Sequence, residues 1–134
     1  MTNIDYYSQH GEDFLLEQIF KGKDQGYFVE IGCLDGIEYI NSYHFELRGW
    51  SGLCVEAHNG FIDVLKENRP NSVVVHCAVG AENLDSVQFF ANRIGSLSTL
   101  VKSEEDRYQQ QYEGSVFGHE LQSVKMKKIG RAHV

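Results

Sequence analysis

Phe14, Leu15, Ile19 and Phe20 recur at helical spacing behind Ser8 and Asp13, whose side chains can accept from the free backbone donors of a helix start. The pattern predicts a first helix from about Glu12 to Lys21, closed by Gly22. Tyr27-Phe28-Val29-Glu30-Ile31 is short, β-prone and apolar enough for a first strand buried on both faces. A second helix is predicted over about Glu38 to Arg48, closed by Gly49, and a second strand over Leu53-Cys54-Val55, ending at Glu56. Phe61 and Leu65 suit a third helix from about Gly60 to Asn68, stopping at Arg69-Pro70. Ser72 to Val79, the most β-branched stretch, is the third strand. Strand and helix alternate with short connections, which predicts an α/β fold with a parallel sheet covered on both faces by right-handed crossovers.

After Gly80 the period changes. Ala81 to Asp85 is a turn and Ser86 to Phe90 a strand, so an antiparallel hairpin is expected to follow strand three. Lys102 to Tyr112 is polar and fits either a helix anchored by Tyr108 and Tyr112 or a loop or lid. Leu121 to Lys127 alternates as a half-exposed strand does.

With 134 residues, 42% hydrophobic, 1 proline and 13 glycines, the chain has the size and core of one globular domain and no linker or collagenous tract. No apolar run approaches the ~20 residues of a membrane span, and the N-terminus lacks the regions of a signal peptide, so a cytoplasmic protein is expected. A net charge of -7 disfavours nucleic acid as partner. Cys33, Cys54 and Cys77 each lie in or beside an apolar run, as buried reduced thiols do. The six histidines, His10, His44, His58, His76, His119 and His133, show no metal-binding spacing. No metal is expected.

The chemistry concentrates in Glu30-Ile31-Gly32-Cys33-Leu34-Asp35-Gly36, where an acidic residue closes a strand and two glycines follow four apart. A side chain at Gly32 or Gly36 would obstruct a sharp turn or a ligand approaching the backbone. Leu34 stands where a dinucleotide loop has its second glycine, which disfavours a pyrophosphate. The acidic residue suits a ligand with an ammonium or sulfonium centre, as S-adenosyl-L-methionine has. Glu56, 20 residues beyond Gly36 and at the end of strand two, is positioned to accept ribose hydroxyls. The plain structural alternatives are a tight strand-to-helix turn and a solvated strand-end carboxylate.

From Tyr7 to Leu100 the chain resembles the FkbM-type S-adenosylmethionine-dependent methyltransferases. Ser8-Gln9-His10-Gly11-Glu12-Asp13 is similar to the family's opening S-Q-x-G-E-D. Phe28 to Gly36, Asn41-Ser42, Arg48 to Glu56 and Ala78-Val79 follow in the family's order and spacing. The resemblance implies a Rossmann-like methyltransferase fold and methyl transfer to a hydroxyl of a sugar or other small acceptor. It assigns Glu30, Gly32, Cys33, Asp35 and Gly36 to the cofactor loop, Glu56 to the ribose and Ala78 to a wall near the adenine. Ser8, Gln9, Glu12 and Asp13 would fold over the cofactor or the acceptor. Cys33-Leu34 departs from the family's small-polar pair, and Ala57-His58 replaces a frequent proline. No catalytic residue is identified.

Other features carry plainer expectations. His58 reads as a solvated loop histidine, Cys33 as a small apolar filler, Trp50 as a packing anchor and Arg48 as a surface charge. Gly95 to Thr99 is either a ligand-facing loop or a flexible connection. The family orders its strands 3-2-1-4-5-7-6 and carries an I-D-x-E-G motif on the fourth, which has no counterpart here. Ile129 to Val134 is what a common sequencing-library adapter encodes when translated. Residues 1–128 are therefore expected to be the cofactor-binding part of a methyltransferase domain, truncated after strand three and a hairpin, and 129–134 a non-native tail. Two rival classes stay open: a nicotinamide- or flavin-binding oxidoreductase domain, and a noncatalytic α/β binding domain.

Overall fold

The computed structural model describes residues 5–92, 95–111 and 119–128. Tyr112 and the expected tail 129–134 lie outside them. The chain is a mixed α/β protein that divides into two units, the first within 1–56 and 61–75, the second within 57–60 and 76–134. Among the described residues, no helix is long and apolar enough to cross a membrane.

The first unit opens with α1 (Glu12–Ile19) and β1 (Tyr27–Ile31), followed by α2 (Tyr43–Leu47), β2 (Ser51–Glu56), α3 (Ile62–Asn68) and β3 (Val73–His76). A 3₁₀ turn, Asn59–Phe61, precedes α3 in the chain, its first two residues being counted in the second unit. The strands form a parallel sheet in the order β1-β2-β3. β1 and β2 register Glu30 against Cys54 and Ile31 against Val55. Cys33, Cys54 and Leu65 form the buried cluster, with Phe28 and Val74 packed against it.

α1 starts where Ser8 and Asp13 predict. Asp13 is fully buried and accepts from Tyr7 N (2.7 Å), Ser8 N (3.2 Å), Phe14 N (3.0 Å) and the Ser8 hydroxyl. Burial opposes the charge, but the hydrogen bonds outweigh it and hold the Asp13 carboxyl below the usual carboxylate range. Trp50 is the packing anchor expected: its ring meets Phe45 and Phe20, and a Cβ on Gly26 would lie 2.4 Å from it. Arg48 is exposed and pairs with Glu17.

Two expectations fail in this unit. β1 is not buried on both faces: Tyr27, Val29 and Ile31, which strand alternation puts on one face, are each more than half exposed. The second helix is also shorter than expected, since two carboxylates and a left-handed residue divert residues 37–42 from helical geometry. Asp35 Oδ1 accepts from Ile37 N and Glu38 N, Tyr39 has φ 61°, and Glu30 takes the amides of Asn41 and Ser42.

The second unit holds β4 (Ala78–Gly80), β5 (Leu84–Asn92), α4 (Lys102–Gln111) and β6 (His119–Lys128). Its sheet has the order β4-β6-β5, with β6 parallel to β4 and antiparallel to β5. The expected third strand is thus two strands in two sheets, interrupted at Cys77. The expected antiparallel pairing occurs between β5 and β6, because β6 occupies the place between β4 and β5. Alternation in β6 buries Gln122 and Val124 and leaves Leu121, Ser123 and Lys125 exposed. Ala78, Phe89, Ala91 and Val124 form this unit's apolar cluster. The 102–111 stretch resolves to a helix.

Candidate functional site

The first strand leads directly into the glycine turn. Gly32 N donates to Val55 O at 2.8 Å and Gly36 N to Cys33 O at 2.8 Å, so the chain bends while still tied to β2. Gly32 and Gly36 have φ of 79° and 87°, and Leu34 sits at 49°. These are left-handed values that a side chain resists, and glycine relieves the strain at two of the three positions. A Cβ on Gly32 would meet nothing within 4 Å, whereas one on Gly36 would strike Arg69 and Leu65. The two glycines therefore serve different ends. Gly36 makes room for protein, and Gly32 leaves its backbone open.

Glu56 ends β2 beside this turn and is buried. Its Oε2 accepts from Leu34 N at 2.8 Å, which holds the strained residue down. The sequence expectation of a carboxylate at this strand end is met in position, and the group already serves the turn.

Glu30 holds the residues ahead of α2. Oε1 accepts from Asn41 N at 2.9 Å, and Oε2 accepts from Ser42 N at 2.9 Å and from the Ser42 hydroxyl. Its carboxylate ties the start of α2 to the end of β1. Leu16, Val29, Glu30, Ile31, Asn41 and Ser42 line an open groove of about 400 Å³ at this end of the strand.

Asp35 caps Ile37 and Glu38, and its carbonyl accepts from Asn68 Nδ2 at 2.8 Å. Cys33 is fully buried and its thiol donates to Glu30 O at 3.2 Å. The hydrogen bond with the Cys54 thiol, together with burial, pushes the Cys33 thiol far above the usual thiol range. A thiol so held is no nucleophile. It fills the core, as the sequence suggests. Cys54 and Cys77 are buried as well.

Ser8 is spent on Asp13, while Gln9 and His10 are exposed. Glu12 Oε2 accepts from His10 N at 2.9 Å. The Ser8-to-Asp13 motif thus closes on itself as a helix start. Ala78 belongs to the second unit, where it is buried in the cluster with Phe89 and Val124.

His58 corrects an expectation. It is buried rather than solvated: Nδ1 accepts from Gly60 N at 3.0 Å and Nε2 donates to Asn92 O at 2.9 Å. With both ring nitrogens so engaged, His58 fastens the 57–60 segment within the second unit. Asn59 N adds a bond to Gln122 Oε1. The 95–99 stretch is likewise tied down. Thr99 bridges to Phe90 in both directions, and Ser98 Oγ accepts from Asn92 N.

Sequence reasoning passed over Glu46 and Arg69. In the sequence Arg69 is a helix stop before the single proline, yet it lies fully buried under the glycine turn and bonds Glu46 Oε1 at 3.0 Å. The available signal was a pair of charges flanked by core residues, Phe45-Glu46 and Leu65 four before Arg69. Among the described residues, no group of three or more His, Cys, Asp or Glu side chains is arranged to hold a metal ion. Compared with family models, curated proteins and solved structures, the chain finds no match.

Proposed function

We propose that the chain carries the cofactor site of a Rossmann-like, FkbM-type methyltransferase that passes the methyl group of S-adenosyl-L-methionine to a hydroxyl of a sugar or other small acceptor. One observation carries the reading. Glu56 ends the central strand of a parallel sheet, and its carboxylate reaches the backbone of the glycine turn that ends the neighbouring strand. A carboxylate at that strand end, beside a turn whose backbone is open, suits a ribose held at the carboxyl edge of an α/β sheet. In this reading the ribose hydroxyls share the Glu56 carboxylate with Leu34 N, and Gly32 leaves room for the ligand. Glu30 and Asp35 act by shaping the turn. The acceptor oxygen takes the methyl carbon as the carbon–sulfur bond breaks, the bonding pair stays on sulfur to leave S-adenosylhomocysteine, and the hydroxyl proton passes to solvent; the step depends on alignment of the two partners.

Saturation-transfer NMR on the chain with S-adenosyl-L-methionine, NAD and FAD in separate samples tests this. Saturation of the S-adenosyl-L-methionine protons, reduced by Glu56→Ala through loss of about 1.5–3 kcal/mol of ribose hydrogen bonding, is expected. Preference for NAD or FAD would favour an oxidoreductase domain instead. No transfer to any of the three would leave a noncatalytic α/β domain.

A further inference from the structure

Arg69 follows α3 and has no solvent exposure. Its guanidinium spends donors on three acceptors: Nε on Glu46 Oε1 at 3.0 Å, Nη1 on Gly36 O at 3.1 Å and Nη2 on Ser42 Oγ at 2.8 Å. It also lies over the rings of Phe28 and Tyr43, 5.2 and 5.7 Å from their centroids. The Ser42 hydroxyl, accepting from Arg69, donates onward to Glu30. One cation therefore grips both ends of the 36–42 stretch, directly at Gly36 and through Ser42 at Glu30. The packing is matched to it, since a Cβ on Gly36 would lie 2.7 Å from Arg69 Cγ.

Burying a full charge is costly, and an apolar side chain of similar volume would close the core without that cost. What an apolar side chain cannot do is aim donors at a carbonyl and a hydroxyl. The fork is directed at the turn. We propose that Arg69 is a positioning residue of the site, fixing the 32–42 turn in its ligand-ready shape through Gly36 O and the Ser42–Glu30 bond without itself touching the ligand. The consequence for binding rests on the nucleoside reading above; the consequence for the turn rests on the geometry alone.

The test pairs Arg69→Lys with a double variant, Arg69→Met with Glu46→Met, which removes both buried charges together. Hydrogen exchange followed by NMR is read at the turn and at the β1–β2 sheet, and S-adenosylhomocysteine is titrated by calorimetry. The sheet amides should keep wild-type protection. The amides of Gly36, Ile37, Glu38, Asn41 and Ser42 should exchange at least tenfold faster, and S-adenosylhomocysteine affinity should fall at least tenfold. Turn amides within twofold of wild type in a folded variant would overturn the proposal, as would a loosened turn with unchanged affinity. Should the lysine variant not fold, the double variant carries the measurement; failure of both to fold makes Arg69 merely structural and overturns the proposal too. If the wild-type chain binds no S-adenosylhomocysteine, the nucleoside reading falls, and the exchange data still decide the role of Arg69 in the turn.

Discussion

In the first unit the side chains without solvent exposure include Asp13 and Arg69, with Ser42, Glu46 and Glu56 almost as enclosed. Cys33, Cys54 and Leu65 form a buried apolar cluster in the same unit, and Ile40, Phe45, Trp50, Val55 and Ile62 are buried as well, so what sets this unit apart is the buried charge. In the second unit Ala78, Phe89, Ala91 and Val124 form the cluster, and the buried polar groups His58, Asn92 and Gln122 fasten the single short segment 57–60. The difference follows from what each region must hold. Apolar burial is non-directional and settles only which faces meet, which suffices for a sheet. A turn with φ values of 79°, 49°, 87° and 61° within eight residues needs forces with direction. Buried carboxylates and a guanidinium supply them.

The largest effect is expected at Phe89. Removing this buried ring from the second unit's apolar cluster, Phe89→Ala, is expected to cost about 3 kcal/mol. Trp50, the chain's single tryptophan, belongs to the first unit and reports on it alone. Urea unfolding should therefore show the circular-dichroism signal beginning to fall before Trp50 fluorescence changes. Coincident transitions would mean that the units unfold as one, and the contrast would then be one of means without independence.

How much of this was legible depends on which force decides each element. β1 could be bounded to the residue because a run of β-prone residues between Gly26 and Gly32 needs no distant partner to be recognised. The 38–48 stretch could not. Its helix is shortened by Glu30 taking the amides of Asn41 and Ser42, a contact reaching across 11 and 12 residues. The valine run from Ser72 to Val79 looks continuous because β propensity carries no information about which sheet a residue joins. At the site, Gly32 and Glu56 were found because strand ends are visible in the chain. Arg69 was not, since its acceptors lie 23 to 33 residues away and its neighbour Pro70 offered a sufficient local explanation.

A middle-sized effect sharpens the polar side of the contrast. Asp13→Asn keeps the shape but puts an NH₂ among donors, and is expected to cost about 2 kcal/mol at neutral pH. The sign of its pH dependence is fixed by the lowered carboxyl. Such a group stabilises the fold fully above its unfolded-state value, about pH 4, and the contribution disappears as pH falls through the lower folded-state value. The stability gap between wild type and Asp13→Asn should accordingly be widest from pH 5 upward and close toward pH 2 in urea titrations. A gap independent of pH would show that packing rather than charge holds the N-terminal turn.

The smallest effect on stability discriminates most about function. Gly32→Ala places a methyl group in a left-handed conformation, at about 1 kcal/mol, and that methyl meets no protein atom within 4 Å. The left-handed φ of 79° accounts for a glycine here, and, in contrast to Gly36, where Arg69 fills the space, the described residues leave the space beside Gly32 open. If a ligand occupies that space, S-adenosylhomocysteine affinity should fall tenfold or more while urea unfolding shifts only slightly. Equal affinity in Gly32→Ala and wild type would mean that Gly32 serves the turn alone. The case for a nucleoside at this strand end would then rest on Glu56 by itself, a group that already has Leu34 N to hold.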